Sequence, residues 1–207
     1  MIQFDFINDY VLENEQVLLR PLVAQDYDQL LEYSMNEPEL WRFNAWGAAG
    51  AENLRIYIDN AIDKRQKALE YPFIVFDKVS GKYVGSTRFL DFQFERKGVQ
   101  VGHTWYGKAV QGTALNKNCK HLLFDFAFAQ LGMERVGLAA NTKNERSINA
   151  MKSIGCTIEG VLRNFSFGAD GERIDVVVLS VLRNEWYGGL KKQLEDKINL
   201  KLEQQCL

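Results

Sequence analysis

The strongest chemical signal in the sequence is a small-residue loop that joins a predicted strand to a predicted helix. The loop and its flanks read YGKAVQGTALN over residues 106–116, and Gly112 and Ala114 stand directly before the helix. At a helix N-terminus the first backbone N–H groups have no partner and lie at the positive end of the helix dipole. The loop therefore suits an anion such as the pyrophosphate of a nucleotide cofactor. A tight turn without a ligand is the alternative, and the spacing matches neither a Walker A loop nor a dinucleotide fingerprint.

Two further segments carry side chains that could act in a site. Asn144 and Ser147, spaced N-x-x-S, open a predicted helix, where either residue could contact a ligand or cap the helix. The pair Glu159 and Gly160 and the turn at residues 168–171 belong to a predicted hairpin with charged flanks. None of these segments identifies an enzyme when it is taken separately.

Of the two histidines and the two cysteines at 119 and 156, one histidine is a candidate base and the other three residues are expected to be structural. His103 alternates with Val101 and Trp105 on one face of a predicted strand, so it could be a base or a hydrogen-bonded core residue. His121, on the long predicted helix, is expected to be structural. Cys119 and Cys156 are expected to pack in the core, because the sequence suggests no positive partner that would favour a thiolate.

An aromatic cluster lies between the first two predicted helices. Trp41, Phe43 and Trp46 stand close to a run of small residues. This composition is typical of a shaped loop that could line an acceptor pocket, or of a hydrophobic plug between two helices.

Hydrophobic periodicity predicts one mixed α+β unit. Runs of β-branched and aromatic residues predict strands at 17–21, 71–77, 83–94, 99–107, 134–141, 156–167 and 173–182. Apolar residues at three- and four-residue spacing predict helices at 24–40, 51–69, 115–131 and 145–155, with a helical tail from 185 onward. The three strands between 71 and 107 follow one another as a meander, which argues against a doubly wound parallel fold.

Composition limits the classes of function. The chain has 207 residues, 46% hydrophobic residues and a net charge of -2, with basic residues scattered among acids. This pattern argues against a nucleic-acid partner, and no stretch is apolar enough for a membrane helix. The three cysteines lack metal-ligand spacing and the N-terminus lacks a signal-peptide pattern, so we expect a cytoplasmic protein without a metal. We also expect one domain over residues 1–207, because no linker or repeat interrupts the chain.

Taken together and in this order, the segments resemble the GNAT acetyltransferase superfamily, and within it the ribosomal-protein-serine and -alanine N-acetyltransferases. The resemblance covers residues 15–187 and leaves a helical tail at 188–207. The motifs that carry it are Trp105-Tyr106, Gly112-Thr113-Ala114, Phe126-Ala127-Phe128, Asn144-Glu145-Arg146-Ser147, Lys152-Ser153-Ile154-Gly155-Cys156, Glu159-Gly160 and Ile174-Asp175.

The resemblance implies the GNAT acyl-CoA N-acyltransferase fold, with a central, mostly antiparallel sheet that splays at the cofactor site and is flanked by helices. It implies acetyl-CoA as co-substrate and a primary amine as acceptor, in a chain that could form a homodimer. The implied cofactor-binding residues are Trp105, Tyr106, Gln111, Gly112, Thr113, Ala114, Leu115, Asn116, Asn144 and Ser147. The implied catalytic residues are Ser147, Asn144 and, from its chemistry and strand position, His103.

Several positions depart from the family pattern and keep alternatives open. Ala109 takes the first position of the Q/R-x-x-G-x-G/A signature, Gln100 stands where a glutamate is frequent, and Ser166 replaces a carboxylate beyond the Glu-Gly pair. The acceptor could therefore be a protein N-terminus or a small-molecule amine such as a polyamine, an antibiotic or a toxin. A module that binds CoA without turnover is the alternative from another class.

Overall fold

The computed structural model describes residues 4–43, 47–168 and 170–205. One eight-stranded sheet in the order β1-β2-β3-β4-β5-β6-β8-β7 forms its centre. The strands are β1 Leu12–Glu13, β2 Val17–Pro21, β3 Glu70–Asp77, β4 Lys82–Gln93, β5 Gly98–Tyr106, β6 Arg135–Asn141, β7 Thr157–Phe167 and β8 Arg173–Leu182. The helices are α1 Tyr27–Asn36, α2 Ala51–Gln66, α3 Leu115–Asp125, α4 Glu145–Ser153, α5 Arg183–Glu185 and α6 Lys191–Gln205. No helix within these ranges is long and apolar enough to cross a membrane.

Two hydrophobic clusters cover the two faces of the sheet. One cluster joins α1 and α2 to the sheet, and its buried members include Leu30, Leu54 and Ile58. The other joins α3, α4 and α6 to the opposite face and includes Leu123, Met151 and Leu194. Strand β3 is buried along almost its whole length because it is covered on both faces, which explains its continuous run of apolar residues.

Among the strands that the structure describes, one neighbouring pair is parallel. Strands β5 and β6 pair through three residue pairs, which are Gly98 with Arg135, Val99 with Val136 and Gln100 with Gly137. Beyond them β5 continues beside β4, whereas β6 continues beside β8. The sheet is therefore mostly antiparallel and opens between β5 and β6, which confirms the predicted splayed fold. The unpaired edge of β5 begins after Gln100, because residues 98–100 are still paired with β6.

A β-bulge lies at the start of this opening. His103 has φ +47°, and the pairing with β4 shifts between Arg88–Gly102 and Ser86–Trp105, so that β5 carries one extra residue. Because of this extra residue, the side chains that follow the bulge point to the opposite face of the sheet from the one that simple alternation predicts. Val101 packs in the cluster on the α3 face, and Trp105 packs in the cluster on the α1/α2 face. The predicted alternation of Trp105 with Val101 on one face is therefore wrong, because simple period-two counting does not include a bulge.

Helix ends differ from the predictions where local chemistry intervenes. The helix predicted at 24–40 ends at Asn36, and a short 3-10 helix follows from Pro38, whose ring disfavours helix continuation through the preceding residue. The long helix after the small-residue loop ends in a π-helical turn, Phe126–Gln130, before Gly132 at φ +62°. The two-residue strand β1 is too short to have given a sequence signal.

Candidate active site

The small-residue loop before α3 has the geometry of an anion cradle. Gly112 has φ +77°, and a Cβ atom added there would meet nothing within 4 Å, so the main chain faces open space. Among the described residues, no acceptor pairs with the backbone N–H groups of Gly112, Thr113 and Ala114. Their positive partial charges adjoin the start of the eleven-residue helix α3.

Side chains next to the cradle fix its shape. The Thr113 hydroxyl donates to the carbonyl of Val110 at 2.7 Å and accepts the backbone N–H of Leu115 at 3.2 Å. The N–H of Leu115 is therefore already used, and its side chain is buried in the core. Of the predicted cofactor-binding residues, Leu115 thus contributes packing in this structure, while Asn116 is half-buried in the first turn of α3.

Gln111 connects the cradle to both sides of the opening. Its Nε2 donates to the carbonyl of Tyr106 at 2.7 Å, and its Oε1 accepts a hydrogen bond from Arg146 on α4. The loop before α3 and the start of α4 are therefore linked across the opening between β5 and β6. Sequence reasoning did not assign Arg146 a role, although it lies inside the N-x-x-S motif as a cation next to a predicted phosphate site.

The aromatic pair at the end of β5 is buried on opposite faces of the sheet. Trp105 packs against Trp41, with ring centroids 5.2 Å apart, and its Nε1 donates to Tyr57 at 3.3 Å. Tyr106 points into the α3 cluster next to Cys119, and burial raises the pKa of its phenol. Both side chains are packing residues here, so only their backbone groups can face a ligand.

The structure also bears on the aromatic plug. Trp41 is 3% exposed and belongs to the α1/α2 cluster, as the plug interpretation predicts, whereas Phe43 is half-buried. Trp46 lies outside the described residues.

The two core cysteines agree with the sequence prediction, because burial raises the pKa of both Cys119 and Cys156 to about 12.

Helix α4 brings the N-x-x-S pair to the side of the opening next to β6. Asn144 is the N-cap residue, and its Oδ1 accepts the backbone N–H of Ser147 at 3.1 Å. The capping interpretation of Asn144 is thus correct for its carbonyl oxygen. Ser147 is half-buried, and its hydroxyl makes no hydrogen bond to the described part of the chain. Its hydroxyl can therefore donate to a ligand.

A buried polar cluster lies on the α2 face of the opening, beside the bulge. Arg88 Nη1 donates to Glu70 at 2.7 Å, and Lys64 donates to the other oxygen of Glu70 at 2.6 Å. The guanidinium of Arg88 also stacks over the ring of Tyr57, 4.8 Å from its centroid. Burial would raise the pKa of Glu70, but the two cations outweigh it and lower that pKa.

His103 is next to this cluster. Burial lowers its pKa to about 4, and the positive charge of Arg88 adds to the effect while Glu70 opposes it. The imidazole is therefore neutral near pH 7. It can accept a hydrogen bond there, but its low basicity makes it a poor match for a proton from an amine.

A second buried cation lies on the α3 face and was missed by sequence reasoning. Lys120 on α3 is 4% exposed, and its Nζ donates to the hydroxyl of Thr104 at 3.0 Å. Burial lowers the pKa of Lys120 to about 8. Lysine is rarely buried without a carboxylate, so this residue is unusual. It also corrects the expectation that no cation lies near Cys119.

Comparisons with known proteins agree with this geometry. The model of the acetyltransferase (GNAT) domain matches residues 16–157. The uncharacterized N-acetyltransferase p20 of Bacillus licheniformis is 26% identical over 182 residues, which cover 86% of this chain and 98% of that protein.

Two further relatives have similar coverage. A protein of Bacillus subtilis (strain 168) with the provisional name ribosomal N-acetyltransferase YdaF is 26% identical over 84% of this chain and 96% of its own. The crystal structure of a provisionally named acetyltransferase from T. thermophilus superposes with a TM-score of 0.83 at 29% identity, covering 95% of this chain and 99% of that one.

The matched domain spans more than half of the chain, including the opening between β5 and β6 and the cradle before α3. The chain therefore belongs to the GNAT superfamily and is an acetyltransferase.

Proposed function

We propose that this acetyltransferase transfers an acetyl group from acetyl-CoA to the α-amine of a protein or peptide N-terminus. The observation that carries the proposal is the conjunction of an opening in the sheet with a free anion cradle at one end of it. A pyrophosphate held by the free backbone N–H groups of Gly112, Thr113 and Ala114 would direct the rest of an extended cofactor toward the unpaired edge of β5. The name of the Bacillus subtilis relative favours a ribosomal protein as acceptor.

The unpaired segment of β5 supplies the groups that would act on the thioester. Backbone N–H groups between Val101 and Tyr106 face no strand on the β6 side. One such N–H directed at the thioester oxygen would stabilise the growing negative charge by roughly 3 kcal/mol, as other oxyanion donors do. The amide nitrogen of Asn144 would contact the arm of the cofactor from the α4 side, and the Ser147 hydroxyl would donate to the sulfur.

The charge on the α2 face favours an N-terminal α-amine over a polyamine. Glu70, the carboxylate beside the bulge, is bonded to two cations, so this cluster offers no unpaired negative charge to a polycation. An α-amine has a pKa near ~8 and is partly neutral at pH 7, so direct attack needs no strong base. A neutral His103 is compatible with that requirement. We place the reaction in the cytoplasm, where the free thiols of Cys119 and Cys156 fit a reducing compartment.

The experiment compares one substitution at two glycines. Gly112 and Gly132 both have positive φ and open space around the position of a Cβ, but they lie at opposite ends of the helical segment that contains α3. We expect Gly112→Trp to abolish acetyl-CoA binding by calorimetry, and Gly132→Trp to retain it, because only the first blocks the cradle. Equal loss in both variants would contradict the placement of the cofactor.

A panel of acceptors tests the rest of the proposal. Release of CoA would be measured with peptides that carry a free α-amine, with the same peptides blocked at that amine, and with polyamines. Turnover with the free peptides alone is expected. Turnover with polyamines alone would favour a small-molecule acceptor, and binding of acetyl-CoA without turnover on any acceptor would favour a binding module.

A further inference from the structure

The charge on Lys120 has little compensation for a buried ammonium. The group has three N–H donors, and in the described parts of the chain its one hydrogen-bond acceptor is the neutral hydroxyl of Thr104. No carboxylate in those parts forms an ion pair with it. Removing an unpaired cation from water is costly, so two unused donors at a buried position indicate a missing polar partner.

The position of Lys120 identifies where that partner would lie. Thr104 belongs to the segment of β5 that is no longer paired with β6, and it is exposed. Its hydroxyl shares a hydrogen bond of 2.7 Å with that of Thr87, which is fully buried. Lys120 therefore reaches the sheet at the opening, from the α3 face. The titratable groups whose charge would act on it are the thiols of Cys119 on α3 and Cys156 at the turn before β7. Both thiols stay protonated near pH 7, so neither neutralises it.

The chemistry of acetyl transfer provides a partner of the right kind. When the nitrogen–carbon bond forms and the carbon–sulfur bond breaks, the bonding electron pair leaves with sulfur as a thiolate. A thiol of ordinary basicity has a pKa near ~8.5, close to the value of about 8 for Lys120, and acid catalysis works best when donor and acceptor are matched near the working pH. A serine hydroxyl such as that of Ser147 can donate a hydrogen bond but is a far weaker acid.

We infer that the ammonium of Lys120 binds the sulfur end of CoA and supplies the proton that the departing thiolate takes up. One proton passes from Lys120 Nζ to sulfur, and the proton lost by the attacking nitrogen returns to Lys120 through solvent, so that protons balance over one turnover. Thr104 holds the ammonium in place through its hydroxyl. The inference rests on the acetyltransferase activity and on CoA binding at the opening, but not on the identity of the acceptor.

The test uses CoA without any acceptor, so it is independent of the acceptor panel. The pKa of the bound CoA thiol would be measured from the ultraviolet absorbance of the thiolate in wild type, Lys120→Met and Lys117→Met. Methionine has a similar length without the charge, and Lys117 lies on the same helix, half-buried and near Lys197 and Lys201 on α6. We expect the thiol pKa to be lowered in wild type and Lys117→Met, and to return to that of free CoA in Lys120→Met.

Binding of desulfo-CoA separates a role at sulfur from a role in folding. Lys120→Met should bind desulfo-CoA within about twofold of wild type, whereas its rate of acetyl transfer should fall about 100-fold or more, the usual contribution of a general acid. Lys120→Arg, which keeps a positive charge, should retain part of the lowered thiol pKa. An unchanged thiol pKa in Lys120→Met, an equal loss of affinity for CoA and desulfo-CoA, or no CoA binding by wild type would overturn the inference.

Discussion

Two buried cations flank the opening in the sheet from opposite faces, and their surroundings differ. Arg88 on the α2 face donates to Glu70 and stacks on Tyr57, which together outweigh burial and raise the pKa of the guanidinium. Lys120 on the α3 face has one neutral partner, and burial lowers its pKa to about 8. Arg88, which has a carboxylate partner in the fold, stabilises the structure. Lys120 has no such partner among the described residues and can instead interact with the negative charge that forms on sulfur during the reaction.

Substitution of the two cations should have different effects on the free energy of unfolding. Arg88→Met leaves the buried carboxylate of Glu70 without its buried partner and should lower the free energy of unfolding by about 3–5 kcal/mol. Lys120→Met removes an unpaired buried charge and should leave that free energy unchanged or raise it. Urea unfolding of both variants at pH 7 gives the measurement. Similar losses in the two variants would show that Lys120 is as structural as Arg88.

The dependence of stability on pH gives a second test of the difference between the two cations. Because the pKa of Lys120 is about 8 when folded and 10.5 in its ordinary state, the unfolded chain binds more protons between these values. The free energy of unfolding should therefore rise with pH across this window, by about 3 kcal/mol from this residue. The buried thiols act in the opposite direction above pH 9, since their pKa is about 12.

Subtracting the stability curve of Lys120→Met from that of wild type removes the contribution of the thiols. The stability advantage of the variant should be greatest below pH 8 and should shrink as pH rises toward 10.5. A difference that stays constant with pH would mean that Lys120 has an ordinary pKa in the folded protein, and the contrast with Arg88 would then be lost.

His103, which lies beside Arg88, should make a smaller contribution to the pH dependence of stability. Its folded-state pKa of about 4 is below the ordinary 6.5, so the unfolded chain binds more protons between these values and stability falls as pH drops through this range. We expect a contribution of about 2 kcal/mol or less, since the ring is only half-buried. His103→Gln should unfold with a weaker dependence on pH between 4 and 6.5. An identical pH dependence in both proteins would show that Arg88 and burial do not act on this ring.

The fold and the cradle were predictable because their signals are local. Alternating apolar residues and a glycine before an amphipathic helix report strands and a helix N-terminus directly, and both occur as expected at Gly112. The bulge at His103 was not predictable in this way, because one extra residue in β5 shows only when its pairing with β4 is known. Its effect was to turn Trp105 away from the face on which period-two counting had placed it.

Lys120 shows a different limit. Its position three and four residues before Leu123 and Phe124, both fully buried, does place it on the inner side of α3. A lysine is normally predicted to face solvent, so its residue type argued against burial although its spacing favoured it. What the lysine reaches depends on where β5 parts from β6, and this is a property of the tertiary structure.

The three residue pairs between β5 and β6 also decide how the two parts of the sheet are held together. They join a five-stranded part to a three-stranded part, while the pairings on either side of them are longer. Few backbone hydrogen bonds connect the two parts, so their cohesion depends on the hydrophobic cluster on the α3 face, which contains both Val101 of β5 and Val136 of β6. The two edges of the opening are thus held in place by side-chain packing more than by sheet hydrogen bonding.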